Sequence, residues 1–346
     1  MLCGDTVAAR LTMVVPIGVS VKPRGDILKL ATFSTRADPL RGRVGVQCGE
    51  RLLDLAQAAQ LLQPSQAAFP GSMRALLEQG DAAMARAKSL LATAQSNPDC
   101  LQKASHSLSA VHFLPPIQDA NKFLCVGKNY RTHLEELKRT DLIKEMPNEP
   151  TGFIKLNACL TGHDADVERP PTVSHLDYEP ELVFVIGKPA YQVKAERAFE
   201  HVAGITLLND LTCRDTQKRE VASGSRFWTA KNAPGFGPLG PYIITMDEVP
   251  DPYNIWVTCS VNGEQRMRVN TSDQIWKLPR IIEHFSRLVP LYPGDMFSTG
   301  APGGVAVGKP NAEDLYLKNG ESVECAFEDP PMVLRNRIVA ARAQAA

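Results

Sequence analysis

The sequence predicts a β-rich α+β protein in which a small α+β domain precedes a larger domain made mainly of strands. Helical and strand patterns are mixed before residue 115, and the paired prolines Pro115 and Pro116 then interrupt both. Short apolar runs separated by turn residues dominate the rest of the chain. Because strands and helices do not alternate regularly, a doubly wound sheet is not expected. We predict an extension over 1–25, a small domain over 26–115 and the larger domain over 116–346.

The composition excludes several classes of protein. The 346 residues include 38 basic and 38 acidic side chains, so a general binder of nucleic acid or of an acidic membrane surface is not expected. No apolar run reaches the roughly 18–20 residues that a membrane helix needs. The eight cysteines stand singly, without a CxxC or CxxH pair, and we predict reduced, buried thiols rather than a zinc or redox site.

The first 25 residues leave two possibilities open. Their apolar patch is broken by Pro16, and no clear small-residue cleavage site follows it. A removed targeting peptide therefore stays possible, but an extension without a structural role is the favoured interpretation. We expect a cytoplasmic protein, or a mitochondrial one if the source is eukaryotic.

The small domain shows two strands followed by helices. Ser72 is a suitable N-cap and Gly80 a suitable helix end, and Asn97-Pro98 predicts the end of the last helix. The predicted elements are strands over 27–33 and 43–47, a turn at 48–51, and helices over 73–79 and 82–95.

The larger domain is predicted to hold few helices. Asn262-Gly263 and Asn319-Gly320 are strong signals for two-residue hairpins. The predicted strands cover 123–126, 182–186, 205–208 and 296–299, and the predicted helices cover 195–203, ending at Gly204, and 278–288.

Three carboxylates form the first candidate site. Glu179 and Glu181 are two apart just before an apolar strand, so they project to the same side of an extended chain. Asp210 ends the strand over 205–208, where a neighbouring strand would bring it close to the other two. Three such oxygen ligands suit Mg²⁺ or Mn²⁺, whereas zinc is not expected because no histidine lies among them. The alternative is an acidic sheet edge facing water.

The second candidate is the segment after the strand over 123–126. His133 lies where helical spacing begins, and a lone helical histidine is more often an ordinary surface residue than a base. The polar stretch over 139–150 is either a surface loop or a mobile lid. Arg214, Gln217 and Lys231 follow Asp210, and a solvated polar surface is the alternative for them.

Taken in order, these motifs resemble the fumarylacetoacetate hydrolase family. The match is close over about residues 115–340, and residues 26–115 resemble the small N-terminal domain of the longer members. The motifs are 126–130 (VGKNY), His133, Glu149-Pro150, 153–155 (FIK), 177–182 (DYEPEL), 185–188 (VIGK), Asn209-Asp210, Arg214, Gln217, Lys231, 237–241 (GPLGP), 261–264 (VNGE), 293–295 (PGD) and 298–305 (STGAPGGV).

The resemblance implies a mixed β-sandwich roll with a metal at its mouth, in a homodimer. It implies that Glu179, Glu181 and Asp210 hold Mg²⁺ or Mn²⁺, which chelates a keto or diketo acid. Further roles carried over from the family are a His133–Glu149 dyad that activates water, Lys231 as a catalytic cation, and substrate contacts from Tyr130, Lys155, Arg214, Gln217, Thr299 and Gly300.

The resemblance also implies a class of reaction. Hydrolysis of a carbon–carbon bond in a β-diketo acid of the acylpyruvate or fumarylacetoacetate type leaves an enolate, which a Lewis acid and nearby cations stabilise. Alternatives on the same scaffold are oxaloacetate decarboxylation, isomerisation of an unsaturated dicarboxylate, hydrolysis of a diketo-deoxy sugar acid, and a metal-binding relative without activity. Lys128 and Ala301 depart from the residues that are frequent in the family at these positions, so the substrate is less well defined than the fold.

Overall fold

A computed structural model describes residues 27–139, 147–224 and 227–341. The predicted extension and most of the predicted loop over 139–150 lie outside these ranges. Within them, no helix combines the length and apolarity needed to cross a bilayer. The described cysteines are all free thiols, and only Cys48 among them is not buried.

Strands supply most of the regular structure. They are β1 (Lys29–Thr35), β2 (Asp38–Cys48), β3 (Arg51–Asp54), β4 (Ser105–Ser107), β5 (Val111–Leu114), β6 (Phe123–Gly127), β7 (Thr151–Ile154), β8 (Leu160–Thr161), β9 (Asp166–Arg169), β10 (Leu176–Asp177), β11 (Pro180–Ile186), β12 (Val202–Asn209), β13 (Thr212–Cys213), β14 (Gly237–Pro238), β15 (Ile243–Thr245), β16 (Trp256–Val261), β17 (Glu264–Asn270), β18 (Met296–Ser298), β19 (Ser322–Phe327) and β20 (Met332–Ala340).

The helices are short apart from one. They are α1 (Leu55–Leu62), α2 (Met73–Glu78), α3 (Gly80–Gln95), α4 (Pro98–Ala104), α5 (Arg131–Arg139), α6 (Arg214–Ala222), α7 (Leu278–Ser286) and α8 (Ala312–Leu315). Short 3-10 helices cover Leu108–Ala110, Asn157–Cys159, Ala195–His201, Met246–Glu248, Thr271–Asp273 and Ala306–Gly308.

One large mixed sheet runs through both predicted domains. Its strand order is β4-β3-β2-β1-β15-β12-β11-β18-β6-β7, with β5 paired to β1. The antiparallel pairing of β1 with β15 joins the first part of the chain to the second. The boundary at 115/116 stays a prediction, and the two parts share a sheet rather than standing apart.

The large sheet is covered on both faces. Strand β11 is buried at every position, and its side chains alternate between two apolar clusters. Leu182 and Phe184 face the cluster that includes the five-stranded sheet β17-β16-β19-β20-β9, whereas Val183 and Val185 face the cluster that includes α1 to α4. This layered arrangement confirms the predicted β-rich α+β class.

Several predicted boundaries are corrected by the structure. Asn97-Pro98 does end α3, but Asn97 also caps α4, since its Oδ1 accepts from the Cys100 amide at 3.1 Å. Helix α1 was not expected, although Asp54 caps it through the amides of Ala56 and Gln57. Asn262-Gly263 joins β16 to β17 as predicted.

Two predictions in the larger domain are wrong. Asn319-Gly320 does not form a hairpin: it is a turn ahead of β19, and β19 pairs with the later strand β20. The predicted helix over 195–203 is a 3-10 helix that ends at His201, and Gly204 lies inside strand β12 rather than at a helix end. A Cβ at Gly204 would lie 2.3 Å from the Ile244 carbonyl oxygen, so glycine allows β12 and β15 to approach closely.

We predict that Gly204→Ala lowers the free energy of unfolding by about 1–3 kcal/mol, because the added methyl group forces β12 and β15 apart. Urea unfolding measures the change. Gly71→Ala is the matched control, since a Cβ there meets nothing within 4 Å. Equal stabilities of the two variants would contradict the prediction.

Candidate metal centre and active site

The candidate centre lies where the start of β11 meets the end of β12. The two strands are antiparallel and Pro180 pairs with Asn209, so Glu179 and Asp210 emerge side by side. The Asp210 amide donates to the Glu179 carbonyl at 2.8 Å, and the Glu179 amide donates to Asn209 Oδ1 at 2.9 Å. These bonds hold Glu179 and Asp210 next to each other.

Three buried carboxylates converge at this point. Oxygen atoms of Glu179, Glu181 and Asp210 all lie within 4.8 Å of one another, and each residue is at most 3% exposed. Carboxylates this close repel one another strongly unless cations stand between or beside them.

Three buried cations surround the carboxylates. Lys231 Nζ donates to Glu179 and to Asp210, each at 2.6 Å, and also to Thr212 Oγ1 at 2.7 Å. Lys155 Nζ donates to the other oxygen of Asp210 at 2.7 Å. The third cation is the guanidinium of Arg214.

Arg214 joins the centre to a fourth buried acid. Its Nη2 lies 2.7 Å from Asp177 and 2.6 Å from Glu179, and its Nη1 donates to Gln217 Oε1 at 2.9 Å. Asp177 also accepts from the amides of Ala306 and Val307 at 2.9 and 3.0 Å. The cluster thus contains one more carboxylate than it has cations.

Glu181 is the carboxylate that is left without a compensating cation. Burial opposes ionisation of Glu179, but Lys231 and Arg214 outweigh it and lower the pKa of Glu179 to about 2. For Glu181, burial and the neighbouring charge of Asp210 raise the pKa well above its usual value. Among the ion pairs of the described residues none involves Glu181, whose carboxylate accepts from the Ser298 hydroxyl.

His133 lies on α5 and faces the same cavity as the three carboxylates. It is 5% exposed, and its Nδ1 lies 3.3 Å from Glu136 Oε2, one helical turn later. The other oxygen of Glu136 accepts from the Gly304 amide at 2.7 Å. Because a carboxylate only accepts, Nδ1 carries the proton in this contact, and Nε2 is left as the basic nitrogen.

The structure does not bring Glu149 to His133 as the predicted dyad requires. The Glu149 side chain is 52% exposed, and its charged neighbours are Arg280, His284 and Arg287 at 3.7–4.0 Å. Glu136 occupies the position beside His133 that was predicted for Glu149. The spacing of three residues on a helix was a signal available in the sequence.

A distant segment holds the start of α5. Asp273 Oδ2 accepts from the Thr132 amide at 3.0 Å and from the Thr132 hydroxyl at 2.7 Å. Asn129 Oδ1 accepts from the Trp276 amide at 2.6 Å, and Gln274 Nε2 donates to the Tyr130 hydroxyl at 3.0 Å. The segment from 273 to 276 therefore fixes the turn that positions His133.

The cavity is lined by both charged and apolar side chains, and the ammonium of Lys231 lies 5.4 Å from the centre of the Phe153 ring. Its lining consists of Val126, Gly127, Lys128, His133, Leu137, Phe153, Glu179, Glu181, Asp210, Gln217, Val221, Phe227, Lys231, Gly300 and Ala301. Gln217 and Gly300, two of the predicted substrate contacts, belong to this lining. The other predicted substrate contacts are buried and form hydrogen bonds to other protein groups; they are Tyr130, Lys155, Arg214 and Thr299. Phe153, Phe227 and Lys128 were not among the predicted site residues.

Comparison with known proteins identifies the family. The family model described as "Fumarylacetoacetate (FAA) hydrolase C-terminal" matches residues 122–339. The chain belongs to the fumarylacetoacetate hydrolase family. This confirms the resemblance drawn from the motifs.

Several of the similar proteins are named as enzymes. The chain is 36% identical over 271 residues to the mitochondrial oxaloacetate tautomerase FAHD2A of Homo sapiens. The aligned region covers 78% of this chain and 81% of the human protein. The chain is 35% identical over 291 residues to the oxaloacetate tautomerase YisK of Bacillus subtilis, covering 84% and 93%. Among solved structures, a fumarylacetoacetate hydrolase from Exiguobacterium antarcticum matches with a TM-score of 0.70 at 27% identity, covering 91% of this chain and 100% of that one.

We predict that Asp273→Ala loosens α5 without disturbing the carboxylates. Loss of a helix cap should speed hydrogen exchange of the α5 amides by a factor of about 2 to 30. Mass-spectrometric hydrogen exchange measures this. Asp99→Ala, which removes an exposed acid from the first turn of α4, is the control. Unchanged exchange in α5 would show that Asp273 does not hold the helix.

Proposed function

We propose that this protein is a divalent-metal-dependent enzyme that interconverts the enol and keto forms of a 2-keto acid of the oxaloacetate type. The observation that carries the proposal is the cavity shared by the three buried carboxylates and His133, whose ring is held by Glu136. The names of the curated relatives, at 35–36% identity, support oxaloacetate as the compound.

The residues fit a hard divalent cation. Glu179, Glu181 and Asp210 offer oxygen ligands only, which suits Mg²⁺ or Mn²⁺. The raised pKa of Glu181, caused by burial and by Asp210, marks the place where positive charge is lacking. A bound cation would supply Lewis-acid stabilisation of the negative charge that develops on the keto oxygen.

The protein's own groups would move the proton. Ketonisation adds a proton to C3 of the enol and removes the enol hydroxyl proton, so a group that both accepts and donates is required. His133 is the basic group at the cavity, and Glu136 fixes its ring and its tautomer from the Nδ1 side. Gln217, whose Oε1 accepts from Arg214, has its amide nitrogen left to donate to a ligand oxygen.

A second candidate is the hydrolysis of a β-diketo acid that the sequence predicts. The apolar part of the cavity lining, which includes Leu137, Phe153, Val221 and Phe227, favours it because an acyl tail would find apolar contacts there. In that reaction His133 would take a proton from water.

The predicted homodimer and the cytoplasmic location remain parts of the proposal.

Metal dependence tests the proposal directly. Treatment with EDTA should abolish the enzymatic loss of enol-oxaloacetate absorbance, and Mg²⁺ or Mn²⁺ should restore it. Asp210→Asn should lose both Mn²⁺ binding, measured by calorimetry, and activity at equal metal concentration. Solutions of metal without protein correct for the uncatalysed reaction. Full activity in EDTA would overturn the proposal, and turnover of acetylpyruvate alone would favour the second candidate.

The histidine pair gives a sharper test. His133→Ala should lower kcat by about 10²–10⁴-fold because it removes the proton carrier. Glu136→Gln should lower kcat by about 10–100-fold, since the ring loses its orienting carboxylate. Glu149→Gln is the matched control and should stay within about twofold of the wild type, because that side chain is exposed and faces α7. If Glu149→Gln were the more damaging of the two glutamate variants, the dyad predicted from the sequence would be correct instead.

A further inference from the structure

The cavity that holds the carboxylates is small. The space that the centre of a water molecule can occupy in it is about 40 Å³. One water needs about 10–15 Å³ on that measure, so the cavity has room for only a few waters or for a short ligand. A ligand with a long tail therefore has to displace part of the cavity wall.

Two phenylalanines form part of that wall. The Lys231 ammonium, which donates to Glu179 and Asp210, lies 5.4 Å from the centre of the Phe153 ring. The rings of Phe153 and Phe227 are in turn 5.5 Å apart and meet edge to face at 90°. Contacts thus lead from the buried carboxylates through Lys231 and Phe153 to Phe227, and both rings are half-buried.

The Phe227 ring lies against the ends of two neighbouring strands. Phe153 belongs to β7, and Gly127 is the last residue of β6, which pairs with β7. A Cβ at Gly127 would lie 3.9 Å from Phe227 Cε2, which is an ordinary van der Waals distance. No ligand atom fits between the ring and this strand end, so the ring closes the cavity there.

Glu220 on α6 fixes the chain just after this ring. Its Oε1 accepts from the amide and from the hydroxyl of Thr229, both at 2.7 Å. Its Oε2 accepts from the Ala230 amide at 3.3 Å. The segment that carries Phe227 is therefore tied to the same helix that provides Val221 to the cavity lining.

The backbone of Phe227 is held in an uncommon conformation. Its φ of 47° lies in the left-handed region, which bulky side chains rarely adopt. Such a conformation persists only where the surrounding contacts determine it, and it is most frequent at binding and catalytic sites. Asn232 supplies further contacts, since its amide donates to the carbonyls of Trp228 at 2.9 Å and Ile154 at 3.1 Å. The ring is thus a fixed part of the wall.

We infer that Phe227 is a specificity-determining residue that limits the length of the ligand, so that 2-keto acids with short tails bind and those with long tails are excluded. The inference rests on the proposed function, and it applies to both reactions considered there because each places a 2-keto acid at the carboxylates. A tail that extends past Phe153 meets the Phe227 ring. Displacing that ring would break its edge-to-face contact and distort the fixed segment behind it.

The test compares two ligands that differ only in the length of the tail. 2-Oxobutyrate and 2-oxooctanoate share the 2-keto acid group, and calorimetry on the Mn²⁺-loaded protein measures the Kd of each. In the wild type the Kd of 2-oxooctanoate should be higher by about tenfold or more, because its tail meets the ring. In Phe227→Ala this ratio of Kd values should fall by about tenfold or more, since the tail can bury its methylene groups in the space that the ring leaves.

Two further variants separate the ring from the segment that carries it. Trp228→Leu is the matched control, because Trp228 is the next residue along the chain and its side chain is 53% exposed. It should keep the ratio of Kd values within about twofold of that of the wild type. Phe227→Leu keeps a smaller apolar side chain and should give an intermediate ratio. The Mn²⁺ affinity of each variant reports whether its carboxylate centre is intact.

The outcomes are distinguishable. If the wild type binds both ligands equally well, or if Phe227→Ala keeps the wild-type ratio, the inference is wrong and the proposed function stands. If Trp228→Leu changes the ratio as much as Phe227→Ala does, the ring itself does not set the limit and the inference is also wrong. Should Phe227→Ala lose Mn²⁺ binding, the ratio in Phe227→Leu decides between the same alternatives. If the wild type binds neither ligand in the presence of Mn²⁺, the proposed function fails and the inference fails with it.

Discussion

The structure of the centre depends on keeping three neighbouring carboxylates buried, together with a fourth that Arg214 joins to them. Asp177, Glu179, Glu181 and Asp210 are each at most 3% exposed, and burying a charge without a partner is costly. The protein meets this requirement with two lysines and an arginine that are themselves nearly inaccessible. Compensation is complete for all but one acid, and that acid, Glu181, lies among the oxygens best placed to receive a divalent cation.

Sheet order explains how distant parts of the sequence reach this centre. Strands β12, β11, β18 and β6 are consecutive neighbours in the large sheet. Residues at or just beyond their ends, Asp210, Glu181, Gly300 and Lys128, therefore line one cavity. Strand β18 pairs in parallel with β6, which sets the loop after it against α5 and allows the Gly304 amide to bind Glu136.

The sequence predicts what is local and misses what depends on the approach of distant segments. Glu179 and Glu181 project together because alternate residues of a strand do, and the buried strand that follows them was evident from its apolar run. The sequence predicts Glu149 as the partner of His133, whereas the structure places Glu136 beside His133 and Glu149 beside α7. Which of the two glutamates lies near His133 depends on where α7 packs. The sequence predicts Gly204 as a helix end because a glycine that ends a helix cannot be distinguished, in the sequence alone, from a glycine that close strand packing requires.

Holding the carboxylates of the centre and recognising a substrate anion are two separate tasks for a cationic side chain. Lys155 and Lys231 hold the carboxylates and are restrained by them. Burial opposes the charge of these lysines, but Asp210 next to both of them and Glu179 next to Lys231 outweigh it and raise their pKa values above the ordinary one. Breaking these buried ion pairs so that the lysine could bind a substrate anion instead would carry a large cost in free energy. Recognition of a substrate anion is therefore better placed on a residue outside the buried network.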